Sequence, residues 1–599
     1  MSEARGVIRR SQAITTFGVG ALLDLPDHSA IVGGLDGWQR SSNDRIEEPR
    51  LAEKLRGIAG GSLPDLFAPP AAPEAPWETG RGVPVFRFPN CFVERQPQAQ
   101  PGAPNPQQTS RRLVSRRALD DRMRLQGKRV VATRFVRGCS KGHVDDLDWY
   151  AFAHAAGDPC RGELRLDETG TTGDLSELVV RCSCSARRRL AEARLPGALG
   201  PCSGKRPWLG ANTGEVCGEK ARLLIRTASN AWFPQIVSVL SLPDRGGELD
   251  RVVAELWDDL RIVDEPAGLR FIKKKPQVTE KLAGFADDVV LAAILARKSS
   301  QGVSAARPLK QVEIEAILDV PEGFGDDIPV DPDFHARRLP ERIWRRADGR
   351  SGDKLAAIVQ VHRLREVMAL AGFTRFEAVM RDIDGEYASD VQRAALALDA
   401  SWFPAVENRG EGVFVQLAAD AVNAWSARPA VARRVELLTD GQRRWNVGRQ
   451  KPGVFPGGPY VLLHTLGHLL IQSVALRCGY PAASIRERIY VDASEQRYGL
   501  LLFTASADAE GTLGGLVEQA NHIEEHLDAA LDTAALCSND PVCAHHEPGA
   551  SLEERWLHGA ACHGCTLVAE TSCEMHNEYL DRALVAPVIG EASAAFFGP

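Results

Sequence analysis

The sequence predicts a multidomain protein of mixed α/β and α+β class. A zinc-ribbon-like, cysteine-rich region lies in its N-terminal half, followed by a helical middle and a C-terminal α/β zinc-binding domain. Three observations point there. At 599 residues the chain is long enough for about three to five domains of ordinary size. Most of its 13 cysteines fall in two groups, Cys139 to Cys217 and Cys537 to Cys573, and closely spaced thiols in a reducing compartment are metal ligands more often than disulfides. The hydrophobic pattern also changes along the chain, from short continuous apolar runs to repeats at helical spacing, so strands and helices both occur.

Hydrophobic residues make up 44% and charged residues 25%, which excludes a disordered, collagenous or disulfide-scaffold chain. The 72 Lys+Arg against 79 Asp+Glu give a formal charge of −7, so any surface for nucleic acid has to be local. No apolar run reaches the roughly 18 residues that span a bilayer. Val461 to Val474 comes nearest, and it contains His464, Thr465, His468 and Gln472. The first residues lack a basic start leading into an apolar core, so a cytoplasmic protein with no membrane attachment is expected.

Residues 1–130 read as an N-terminal segment holding a Pro/Ala/Gln-rich linker at 68–109 that is too poor in apolar residues to fold alone. Within it only Val83 to Pro89 looks ordered, as an extended piece with an exposed edge. Residues 131–235 form the cysteine-rich region, entered by a strand at Val130 to Val136. Residues 236–410 read as a mainly helical domain, because Lys354 to Ala371 repeats apolar residues at three and four, with Gly372 placed to cap the helix. Residues 411–599 carry a short strand at Gly412 to Leu417, a buried helix at Tyr460 to Leu476 and a buried strand at Tyr498 to Thr504. A glycine turn, Glu510 to Leu516, then leads into a helix ending near Leu536, a unit of α/β type.

The strongest chemical signal is C-terminal. Cys562-His-Gly-Cys565 is a knuckle whose two thiolates can reach one tetrahedral ion at about 2.3 Å each. Cys573 and Cys543 are the expected third and fourth ligands, with Cys537 as the alternate. Upstream, Cys139, His143, Cys182 and Cys184 are the first choice for a second zinc, with Cys202 and Cys217 as alternates; Cys160, Cys91 and Cys478 read as plain buried thiols.

His464 and His468 share one helix face at i and i+4, yet Thr465 stands where a metalloprotease needs its glutamate. They therefore read as satisfied core histidines. The turn at Gly511, Gly514 and Gly515 could hold a phosphate on free backbone N–H groups or simply allow close packing. No Walker lysine motif, dinucleotide fingerprint or Gly-x-Ser-x-Gly elbow occurs, so nothing declares an active site. Local basic runs at Arg111, Arg112, Arg116, Arg117 and Lys128, and at Arg187, Arg188 and Arg189, are the candidate phosphate contacts.

Several phrases carry a resemblance. Ile8 to Pro26, Arg137 to Trp149, Ala228-Ser-Asn-Ala-Trp-Phe-Pro234, Val361-His-Arg-Leu-Arg-Glu-Val367 and Trp402-Phe-Pro-Ala-Val-Glu407 resemble the DrmB family, the helicase-partner subunits of the DISARM anti-phage defence system. From His464 through Glu510 to Gly515 and on to Cys562, Cys565 and Cys573, the chain is similar to a zinc-binding domain fused behind some superfamily 2 DNA helicases. Gly467 departs from that pattern, where a bulkier small-polar residue is expected. The resemblance implies zinc at Cys562, Cys565 and Cys573 with Cys543 or Cys537. It implies a DrmA-like superfamily 2 helicase as partner in a heterodimer, DNA engaged through that complex, and ATP hydrolysis by the partner. The expectation is thus a non-catalytic defence subunit. The alternatives are a free-standing zinc-containing DNA-binding protein and a zinc hydrolase using His464 and His468.

Overall fold

A computed structural model describes residues 8–25, 28–71, 82–99, 108–154, 158–170, 172–210, 212–242, 249, 252–253, 255–299, 308–324, 331, 333–388, 391–449, 453–504, 514–549 and 555–598. Within the proline-rich stretch, 72–81 and 100–107 lie outside the described residues, as does Gly511. The chain gathers into two compact units, Met1–Val239 with Glu366–Arg381 and Tyr387–Asn408, and Leu240–Arg365 with Asp382–Glu386 and Arg409–Pro599.

In the first unit an antiparallel sheet runs in the order Arg187–Arg189, Leu178–Cys182, Leu164–Glu168, Thr109–Ser115, Cys91–Glu94, Lys128–Ala132 and Arg124–Leu125. Side chains alternate across a strand, so Leu178, Val180 and Cys182 are buried while Val179 and Arg181 between them are partly exposed. The buried face packs on Trp149, Phe152 and Leu190.

A smaller sheet joins Val144–Asp146, Phe135–Gly138 and Arg222–Ile225. The expected strand over Val130 to Val136 is therefore two strands, parted at Thr133 and Arg134. Val85–Arg87 pairs with Ser29–Val32 and is exposed at all three residues, as an edge segment should be.

Arg375 is fully buried and donates to the carbonyls of Gly142 (2.8 Å), Ala231 (2.5 Å) and Gly20 (2.7 Å). Burial pulls its guanidinium down to about 9, while the nearby Cys139 works the other way.

In the second unit Ile485–Asp492 and Arg497–Thr504 form a hairpin, and the latter strand pairs with Gly412 to Leu417 at the end of the Trp402–Leu417 strand. The helix Gly458–Cys478 packs across this hairpin and against the helix Ile523–Ala535. By length and composition Gly458–Cys478 could cross a bilayer, more than the Val461 to Val474 run alone indicates; here it is a core helix buried in protein. Gly479, left-handed at φ 72°, ends it.

The helices of the middle region, Trp257–Leu260, Pro266–Ile272, Pro276–Lys281 and Asp287–Ser299, share a core around Leu260, Val263, Val278 and Ile294. Pro266 and Pro276 open their helices, where no N–H is needed.

The helix expected at Lys354 to Ala371 is instead part of a 20-residue strand, Leu355–Thr374, and Gly372 lies within it rather than capping a helix. Most residues are buried on both faces, so the strand lacks the apolar–polar alternation that marks a half-exposed one. Its β-branched residues, Ile358, Val359, Val361 and Val367, suit the pleat, and its first half pairs with Phe334–Arg338.

Candidate metal centres

Four groups of side chains each bring ligand atoms within 4.8 Å of one another: Cys139, His143, Cys202 and Cys217; His154, Cys160, Cys182 and Cys184; Cys537, Cys543, Cys562 and Cys565; and His464, His468, Glu487 and Cys573.

The first group is built on the turn between Phe135–Gly138 and Val144–Asp146. The Cys139 N–H donates to His143 O and the Gly142 N–H to Cys139 O, both at 3.1 Å, which brings the thiol and imidazole to one side. Gly142 has φ 90°, and a Cβ there would lie 2.5 Å from the Ala394 Cβ, so only glycine fits this turn. His143 Nδ1 faces the Sγ atoms of Cys139 (3.4 Å) and Cys202 (3.7 Å), while Nε2 lies 2.9 Å from Glu215 Oε1. A ring whose far N–H is held by a carboxylate presents its other lone pair to a metal. The hydrogen bond from Cys139 pulls the Cys202 thiol down to about 4, against the effect of burial, and the Cys139 thiol rises in turn.

The second group straddles a hairpin. Cys182 ends the strand Leu178–Cys182, and Cys184 follows in the turn before Arg187–Arg189. Cys160 Sγ lies 3.7 Å from Cys182 Sγ, and His154 Nε2 lies 3.2 Å from Cys184 Sγ. His154 Nδ1 sits 3.0 Å from the Tyr150 carbonyl, which fixes the ring as Glu215 fixes His143. The Ala186 N–H, and then His154, bring the Cys184 thiol down to about 7.

The third group is all thiol. Cys537 and Cys562 are 3.5 Å apart, Cys562 and Cys565 3.6 Å, and Cys543 and Cys565 3.8 Å. The Cys562 N–H donates to Cys565 Sγ at 3.3 Å, closing the knuckle. The hydrogen bond from Cys543 draws the Cys565 thiol down to about 5 although burial opposes it, and pushes Cys543 up.

Of the expected C-terminal set, the structure brings Cys543, Cys562 and Cys565 together with Cys537. Cys573 stands in the fourth group, beside His464. Of the expected upstream set, Cys139 and His143 stand with Cys202 and Cys217, while Cys182 and Cys184 stand with His154 and Cys160. Cys160, read from the sequence as a plain buried thiol, stands in the second group, and His154 and Glu487 escaped the sequence reading. His154 lies six residues before Cys160 and was findable by spacing, whereas Glu487 has no sequence signal, being brought to its group by the hairpin.

The groups are nested along the chain. The second lies inside the loop that His143 and Cys202 close, and the third inside the loop from Glu487 to Cys573. One backbone feature recurs in all four: the N–H two residues on donates to the thiol of Cys160 (from Gly162, 3.4 Å), Cys202 (Gly204, 3.4 Å), Cys537 (Asn539, 3.4 Å) and Cys573 (Met575, 3.3 Å). Such N–H groups stabilise a thiolate, the form that binds metal.

Half of the candidate phosphate contacts are held in ion pairs. Arg111 bonds Glu168, Arg112 meets Glu163 (3.1 Å), Lys128 meets Glu94 (3.4 Å) and Arg188 meets Glu192 (3.0 Å). Arg116 and Arg117 are exposed in a short 3-10 turn, and Arg187 and Arg189 are exposed on the edge strand. Strand pairing also builds a row invisible in the sequence. Arg187 stands opposite Arg181, Arg181 opposite Arg165, and Arg165 opposite Arg112, across four adjacent strands. Gly514, left-handed at φ 71°, precedes Gly515, and the next N–H, that of Leu516, donates to Glu411 Oε1 at 2.8 Å.

Residues 9–233 match a domain of unknown function (DUF8724), and residues 466–566 match the MrfA Zn-binding domain, a span that holds all four cysteines of the third group. The DISARM protein DrmB of Bacillus paralicheniformis is 31% identical over 488 residues, covering 78% of this chain and 82% of that protein. With the cysteine and histidine groups, these matches make zinc the cofactor.

Proposed function

The chain belongs to the DrmB family of DISARM proteins, and from that premise we propose that it is a non-catalytic subunit that docks on a superfamily 2 DNA helicase and helps it engage foreign DNA. As a member of that family it is a defence-system subunit carrying a Zn-binding domain. The observation that carries the proposal is the extent of the likeness, 78% of the chain. It joins a zinc-binding C-terminal domain to a chain that has no Walker motif to power a helicase of its own.

In this reading the first three groups hold structural zinc. Each offers four protein ligands, so no position remains for an activated water, and the metal's role is to fix the fold. The row of Arg112, Arg165, Arg181 and Arg187 is the surface offered to the phosphate backbone. Like charges set directly opposite one another destabilise a sheet, and Glu163 and Asp167 between them offset this. The complex assembles in the cytoplasm, whose reducing conditions keep the thiols as ligands.

The test is a nuclease-treated pull-down of the tagged full chain from its host. A stoichiometric helicase with DNA-stimulated ATPase activity is the expected result. Absence of any helicase from the nuclease-treated complex sinks the proposal.

A further inference from the structure

The fourth group differs from the others in chemistry and in burial. His464, His468 and Glu487 are 0%, 0% and 3% exposed, and Cys573 is 8%. His464 Nε2 lies 3.0 Å from Glu487 Oε1 and 3.1 Å from Cys573 Sγ, and His468 Nε2 lies 3.3 Å from the same carboxylate oxygen. Ligands held about 2.0–2.3 Å from one tetrahedral ion stand about 3.3–3.6 Å apart, only slightly wider than these separations.

Proton bookkeeping points to a cation. His468 Nδ1 is 2.8 Å from the Thr566 carbonyl, so its proton sits there and Nε2 faces the group as a bare lone pair. Glu487 brings a carboxylate, whose Oε2 has no hydrogen-bond partner among the described residues. Cys573 Sγ accepts two backbone N–H groups, from Met575 (3.3 Å) and Asn577 (3.1 Å), as a thiolate would. Two imidazoles, a carboxylate and a sulfur thus converge in a buried pocket, where from outside the group Glu487 Oε1 receives the Glu574 N–H at 3.4 Å, and buried charge of this kind needs a compensating partner.

Space is reserved for the carboxylate as well. A Cβ on Gly467 would lie 2.7 Å from Glu487 Oε2 and 3.1 Å from Leu500 Cδ1, so glycine at this helix position leaves the room that Glu487 occupies.

We propose that His464, His468, Glu487 and Cys573 bind a divalent transition-metal ion of the zinc class, in a closed centre separate from the four-cysteine group. It is a second metal site within the C-terminal region, and it ties the Gly458–Cys478 helix and the Ile485–Asp492 strand to the segment at Cys573. Cys573 fills the coordination position that a hydrolytic water would need, so the site holds structure rather than doing hydrolysis.

The test uses the full chain loaded with zinc alone and counted by native mass spectrometry. Glu487→Gln and Cys573→Ser should each carry one ion fewer than wild type, and adding Cys562→Ser should remove a further one. A wild-type zinc count in Glu487→Gln overturns the proposal. Because these variants can fail to fold, anomalous scattering at the zinc edge from crystals of the unmodified chain gives a second reading. A peak among the four side chains supports the site, and direct contact among them with no peak overturns it.

Discussion

At the fourth group the smallness of Gly467 matters. Gly467→Ala forces its new methyl against Glu487 and Leu500, and overpacking of that order costs about 1–3 kcal/mol. Chemical denaturation should report a lowered midpoint with an unchanged slope. His526 makes a different kind of statement. It is buried, with Nδ1 3.0 Å from Ser473 Oγ and Nε2 3.0 Å from Gln519 Oε1, and burial, then Arg477, pulls its imidazole down to about 4 from the ordinary 6.5. The unfolded chain therefore binds the proton that the folded chain refuses. Stability from this residue is complete above about pH 6.5 and is lost as the pH falls toward and through 4. Melting temperature measured across that window should fall less steeply in His526→Gln than in wild type. The knuckle at Cys562 and Cys565 was legible because both thiols lie within one turn. The choice between Cys537 and Cys573 was not, because it is made by His464 and Glu487, far away in sequence and near only after folding.

Among elements, the strands were harder to read than the helices. The core helix Gly458–Cys478 and the hairpin strand Arg497–Thr504 follow from continuous apolar runs bounded by glycine and charge. Leu355–Thr374 misled because burial on both faces erases the two-residue period, and its apolar Ile358, Val361, Leu364, Met368 and Ala371 happen to recur at three and four. The arginine row was out of reach for a related reason: register between strands is set by partners, not by neighbours. It makes a specific prediction. Binding of the assembled complex to DNA should weaken linearly with the logarithm of salt concentration. Replacing Arg187 by alanine should reduce that slope by about 0.9 on duplex DNA or about 0.7 on a single strand. An unchanged slope would remove Arg187 from the contact surface.

At the scale of the whole molecule, zinc substitutes for regular structure. The segment from Cys537 to the C-terminus has few helices or strands among its described residues, and buried side chains such as Arg434 with Asp581 hold what the thiols do not. Structural zinc contributes about 10 kcal/mol in small domains. Exhaustive chelation should therefore expose both units to protease, followed by gel analysis, while the helices around Leu260 and Val278, which have an apolar core of their own, persist. The nesting of the groups also has a meaning in time. The inner span from His154 to Cys184 is 30 residues and the outer span from His143 to Cys202 is 59; toward the C-terminus the corresponding spans, Cys543 to Cys565 and His464 to Cys573, are 22 and 109. A ribosome synthesises each inner set whole before the last member of its outer set, and the shorter ring also closes at the smaller entropy cost. Each half of the chain is thus expected to mature from the inside outward, and zinc shortage to leave the small rings shut while the large ones still hang open.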